Sequence, residues 1–228
     1  MMKKNIITST IAIPFITMGI ASCASAQPTI TAAATPVTQG NLSATAAKIL
    51  AKNPGLDKNA VTYALKGYLF AEKQGKVKNP NYLTIINFNK PDTAYRLQVI
   101  NLNSDEVVFS GHVAQGKGSG GGLMATHFSN APNSEATSLG TYVTGDVYYG
   151  HHGRSEHVIG LEPGINSNAV ERAIEIHPAA YVTAQQAGHS WGCFAVNPEK
   201  VNQFINIVNG GSVLFAYATP EQNDPNLL

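Results

Sequence analysis

Cys193 lies in the segment HSWGCFAV, residues 189–196, and His177 ends the β-like run AIEIHP sixteen residues upstream. A thiol that attacks an acyl carbon needs a base to take its proton and N–H donors for the oxyanion that forms. Gly192 permits the tight turn in which its own N–H and that of Cys193 face one way. Pro178 biases His177 toward an extended backbone, at a strand end where its side chain can face a cleft. A nucleophilic cysteine near a histidine is expected to have a lowered pKa. The competing reading makes Cys193 a small buried hydrophobe. Spacing alone does not select the base, because His112, His127, His151, His152, His157 and His189 are also present.

The cysteine count sharpens the question. The chain has two cysteines, Cys23 and Cys193. Cys23 belongs to an N-terminal stretch with the layout of a secretory signal, residues 1–26. Lys3 and Lys4 precede an uncharged, mostly apolar run, and Ala24-Ser25-Ala26 offers a small-x-small cleavage site. Ile20-Ala21-Ser22-Cys23 also reads as a bacterial lipobox, in which Cys23 is lipidated and tethers the chain to a membrane. Either way, export across the inner membrane to the periplasm or cell envelope is expected. The mature domain then keeps one thiol, Cys193, with no intramolecular disulfide partner.

Other chemistries find less support. His151, His152, Glu156 and His157 cluster in sequence, but no HExxH or four-ligand zinc spacing occurs, and no metal or cofactor is expected. The formal net charge is +1, and no basic stripe marks a nucleic-acid surface. The glycines between Gly111 and Gly122 suggest a phosphate loop, but no Gly-Lys-Ser/Thr closes it and no helix follows. A loop this long in a compact domain is often functional.

The elements that position these residues are legible in outline. Residues 27–41 read as a flexible linker. Residues 42–76 read as a helical lead-in of two helices. Leu42 to Ala51 has Ser43 as a candidate cap, and Asp57 to Gln74 is capped by Asp57 and stopped by Gly75. Residues 77–220 form the catalytic domain. YLTIINF, AYRLQVINL, EVVFSGHV, RAIEIH and SVLFAY read as strands, GTYVTGDVYYG as two short strands, and PEKVNQFINIVN as a helix. The expected fold is a mainly β sandwich or barrel with short helices at its edges.

IHPAAYV followed by GHSWGCFAV resembles the L,D-transpeptidase (YkuD-like) signature, a His followed by Ser-x-Gly-Cys. HFSNAPNSEATSLGTYVTGDVYYGHHGRS and GLEPGINSNAVERAIEIHPAAYV resemble the murein L,D-transpeptidase catalytic branch in wording and order, over roughly residues 58–217. The resemblance implies a mainly β catalytic domain that acts on peptidoglycan stem peptides. The cysteine attacks the carbonyl of the diamino acid at stem position three and expels the terminal D-alanine. The side-chain amine of a second stem then resolves the thioester into a 3→3 crosslink. Water as acceptor makes an L,D-carboxypeptidase instead, and a catalytically silent cell-wall-binding module is the third reading.

The same resemblance assigns Cys193 as nucleophile, His177 as base, and Gly192 with Cys193 as oxyanion donors. Ser190 and Trp191 flank the nucleophile as substrate-binding residues. Ser138-Leu139-Gly140 matches a segment before a cleft-lining strand, so Gly140 joins them, with Tyr142 added by strand alternation. The chain departs from the family in having Pro178 where Gly or Ser is usual, Trp191 where His is common, and no Arg soon after the cysteine. Arg154 is the expected substitute for that Arg, with Arg172 as the other candidate.

Overall fold

The computed structural model describes residue 2 and residues 36–219. The expected signal, the Cys23 lipobox and most of the linker lie outside the described residues. Among the described residues no helix is long and apolar enough to cross a membrane.

Two helices lead in, α1 (Leu42–Lys52) and α2 (Lys58–Lys73). The Asp57 carboxylate caps α2 by accepting the Ala60 N–H at 2.8 Å, and Gly75, with φ +67°, follows its end. The N-cap of α1 is Asn41, not Ser43, and no side chain hydrogen-bonds there as a cap. The expected lead-in is packed rather than appended. Ile49, Val61, Ala64 and Leu65 are buried against Leu83, Ile85, Val213 and Phe215 of the sheet.

The strands are β1 (Tyr82–Asn87), β2 (Leu97–Asn101), β3 (Glu106–Gly111), β4 (Gln115–Gly116), β5 (Gly140–Gly150), β6 (Gly153–Gly160), β7 (Glu175–Pro178), β8 (His189–Ser190), β9 (Phe194–Val196) and β10 (Val213–Tyr217). Eight form one sheet in the order β3-β2-β1-β10-β5-β6-β7-β9, and β4 pairs with β8. The fold is mainly β, as expected.

Helix α3 (Val201–Val208) presents Val201, Phe204, Ile205 and Val208 to the second core, with Ile86, Val158, Ile176, Phe194 and Leu214. The central strands β1 and β10 are therefore covered on both faces, which explains their unbroken apolar character. Successive residues alternate between the two cores, Leu83 and Ile85 on one side and Ile86 on the other.

One expectation about the strands fails. GTYVTGDVYYG is a single strand, β5, rather than two. An irregularity in the pairing between Thr144 and Val147 absorbs the Gly145-Asp146 interruption. The strand then continues into a hairpin with β6, whose tip is His151-His152 between paired Gly150 and Gly153.

Candidate active site

Strands β7 and β9 run parallel, with Ile176 beside Phe194 and His177 beside Ala195. Ile176 and Phe194 turn into the core. By alternation Glu175 and His177 share the opposite face, and one step back in register Cys193 stands beside Glu175. Sequence-distant residues thus meet because two short strands lie side by side.

These residues open onto a cleft of about 610 Å³, whose walls include Cys193, His177, Glu175, Arg172, Tyr148 and Trp191. Cys193 is half-buried, and its Sγ lies 3.4 Å from the Ala173 carbonyl oxygen. Burial pushes its thiol up to about 11, opposed by the backbone at Glu175 and by the Arg172 guanidinium. The shift is upward, opposite in direction to the lowering expected from the sequence. His177 is 3% exposed, and its Nδ1 lies 3.0 Å from the Pro178 carbonyl oxygen. Burial also lowers the pKa of His177, with the Pro178 hydrogen bond opposing and His152 adding to the lowering. Both shifts favour the uncharged forms of the thiol and the imidazole.

The turn around Cys193 is built by Ser190. Its hydroxyl donates to the Cys193 carbonyl at 2.8 Å and accepts the Gly192 N–H at 3.1 Å. Gly192 has φ +117°, and a Cβ there would stand 2.8 Å from the Ala136 carbonyl oxygen and 3.0 Å from Arg172 Nη2. Ser190 is buried, with its hydroxyl engaged in the turn, and the Gly192 N–H is bonded to that hydroxyl.

Trp191 is 71% exposed on the cleft wall, with Lys117 Nζ 5.0 Å from its ring centroid. Ser190 lines the cleft beside Trp191, whereas Tyr142, Gly140 and Arg154 do not. Tyr142 is fully buried, with its hydroxyl 2.7 Å from Ser138 Oγ and donating to the Ser138 carbonyl. Gly140, at φ +93°, packs closely on the Glu162 carboxylate. Arg154 turns to α3, where its guanidinium donates to Asn202 and Asn206.

Arg172 is the cationic residue on the cleft wall. It donates to the Ser129 carbonyl at 2.8 Å, to Ser138 Oγ at 3.3 Å and to the Ala136 carbonyl. It thereby fastens the segment after the glycine-rich loop beside the nucleophile.

Sequence reasoning left Tyr148, Glu175, Tyr181 and the cleft histidines His151, His152 and His189 without roles. Glu175 was findable, since it precedes His177 by two residues on a strand. Among the described residues no three His, Cys, Asp or Glu side chains gather where they could hold a metal ion.

A thiol, an imidazole oriented by a carbonyl and a backbone N–H on one wall are the parts of an acyl-transfer site. The profile of the L,D-transpeptidase catalytic domain (YkuD_2) matches residues 52–217, and the chain belongs to that family. The family acts on peptidoglycan as an acyltransferase. Curated protein sequences give no match.

Similar solved structures include an L,D-transpeptidase from Mycobacterium smegmatis, at 12% identity and TM-score 0.36, over 60% of this chain and 67% of that one. Another is the L,D-transpeptidase (residues 123–326) from Xylanimonas cellulosilytica, at 11% identity and TM-score 0.36, over 79% and 94%. A third is LD transpeptidase LdtMt1 in complex with imipenem, at 12% identity and TM-score 0.36, over 60% and 67%. All three likenesses are distant.

Proposed function

We propose that this protein is a cysteine L,D-transpeptidase that joins peptidoglycan stem peptides by 3→3 crosslinks. The donor is a tetrapeptide stem. Cys193 Sγ attacks the carbonyl of its third residue while His177 Nε2 takes the thiol proton. The Cys193 N–H stabilises the tetrahedral oxyanion. As the intermediate collapses, His177 returns the proton to the departing amine of D-alanine, leaving a thioester on Cys193. The side-chain amine of a second stem attacks that thioester, its proton passes to His177, and the regenerated thiol recovers it.

The observation that carries this reading is the hydrogen bond between His177 Nδ1 and the Pro178 carbonyl. A carbonyl only accepts, so Nδ1 carries the hydrogen and neutral His177 keeps a lone pair on Nε2. Such a ring is ready to act as a base. The cleft of about 610 Å³ has room for a peptide donor. The reading includes export to the periplasm or cell envelope, with a lipid on Cys23 as a possible tether.

The test is mass spectrometry of products from purified protein given disaccharide-tetrapeptides, beside Cys193→Ala. A cysteine-dependent dimer that has lost one D-alanine supports transpeptidation. A cysteine-dependent tripeptide alone makes the protein an L,D-carboxypeptidase. No product from the folded wild type contradicts both enzymatic readings and favours a silent wall-binding module.

A further inference from the structure

The tip of the β5–β6 hairpin is registered on the catalytic strand at three points. The ring of His152 lies on the ring of His177, with centroids 4.3 Å apart and planes inclined by 24°. The Tyr148 hydroxyl donates to Glu175 Oε2 at 2.5 Å. Gly153 lies against Pro178, with its Cβ position 3.7 Å from Pro178 Cγ. Glu175 and His177 are alternate residues of β7, so one hairpin touches both residues of the cleft face. Tyr148 is stiffened by stacking on His157, centroids 4.5 Å apart and planes at 9°.

We propose that His152 is a positioning residue for the base: its ring fixes the plane of His177 so that Nε2 serves Cys193. This inference rests on the reading of His177 as the base for Cys193.

The Pro178 hydrogen bond fixes one ring atom, but an imidazole held at one atom can still tilt. A second ring stacked on its face removes that freedom, and preorganised geometry is what a proton transfer between heavy atoms requires. Two imidazolium rings stacked at 4.3 Å also repel, so a proton on either opposes a proton on the other.

Other charged and titratable groups line the cleft with His177: Glu175 from its own strand, Arg172 from the segment before it, Tyr181 from the segment after it, His189 from β8, Cys193 from the β8–β9 turn, and Tyr148 and His151 from the hairpin. Of these, Glu175 pulls the His177 pKa up, while His152 pushes it down alongside burial.

The experiment measures the rate of Cys193 alkylation by iodoacetamide against pH in wild type, His152→Ala and His152→Phe. Mass spectrometry of the Cys193 peptide separates this cysteine from Cys23, and thermal melts confirm that each variant is folded. Wild-type alkylation falls on the acid side as His177 takes up a proton and stops serving the thiol.

Loss of the His152 charge is expected to move that acid limb to higher pH in both variants, by roughly half a unit to one unit. The shift is larger in His152→Ala, which also uncovers the ring. The plateau rate falls severalfold in His152→Ala and lies between that value and wild type in His152→Phe. Folded variants whose acid limb coincides with wild type overturn the proposal. The assay uses no peptide substrate. An unmoved limb in an active transpeptidase sinks only the role of His152, whereas a moved limb in a protein without turnover sinks the transpeptidase reading.

Discussion

His177 Nδ1 and the Pro178 carbonyl oxygen are 3.0 Å apart, within one dipeptide at the end of β7. Pro178 therefore meets the His177 ring through its backbone. A proline supplies that acceptor as well as any residue and adds an extended-backbone bias to His177.

Pro178→Ala should consequently keep D-alanine release from tetrapeptide within about threefold of wild type, since the carbonyl remains. His177→Gln should lose a factor of about 10²–10⁴, the usual contribution of a general base. Steady-state kinetics on the same tetrapeptide compares them. A Pro178→Ala variant as inactive as His177→Gln would show that the ring of Pro178, not its carbonyl, orients the base.

Gly192→Ala should fail for steric reasons. Its φ of +117° disfavours any side chain, and the added methyl would meet Ala136, Ile174 and Arg172 within about 3 Å. A destabilisation of about 1–3 kcal/mol is expected, with at least a hundredfold loss of activity in the folded fraction. Thermal unfolding and kinetics read the two effects separately. Normal values of both would contradict the tight turn.

The two arginines weighed in the sequence should separate cleanly. Arg172→Gln breaks charged hydrogen bonds to Ser129, Ser138 and Ala136, costs about 2–3 kcal/mol, and slows Cys193 chemistry by loosening the cleft wall. Arg154→Ala removes hydrogen bonds to Asn202 and Asn206 on α3, away from the cleft, and should leave kcat/KM within twofold. The opposite ranking, measured on the tetrapeptide, would move the substrate-facing cation back to Arg154.

Much of this site was legible because it is local. The segment HSWGCFAV and the dipeptide His177-Pro178 contain the proposed nucleophile, its turn, the proposed base and the carbonyl bonded to it. The α2 helix was legible through its apolar period, its Asp57 cap and its Gly75 stop. Tyr142 was misplaced because alternation tells which residues share a face, not which face meets solvent. Both faces of β5 are buried over Gly140–Thr144, so Tyr142 goes to core.

Strand β6 escaped notice because GRSEHVIG mixes charges with apolar residues, and without it the hairpin that carries Tyr148 and His152 could not be drawn. Arg154 was favoured by nearness to the glycine-rich loop in sequence. A strand reverses its side chains at each residue, and Arg154 points to α3.

Glu156 gives a pH signature outside the cleft. It is fully buried. Burial raises its pKa from 4.5 to about 8, with Thr144 and Arg154 opposing. Between those values the folded chain holds a proton that the unfolded chain has released, so stability falls as pH rises through that window. Glu156→Gln should match wild type near pH 4.5 and exceed it by a few kcal/mol at pH 8, about 1.4 for each unit crossed. Urea unfolding at several pH values checks this. Parallel pH profiles would mean that the carboxylate ionises normally in the fold.

The most direct measurement is the intact mass of the protein, mixed rapidly with tetrapeptide stem and quenched in acid. The account predicts an adduct equal to the stem less its terminal D-alanine. The adduct should map to Cys193, be absent from Cys193→Ala, and disappear when an amine acceptor is added. Turnover without any such adduct, or an adduct that survives Cys193→Ala, would contradict a thioester on Cys193.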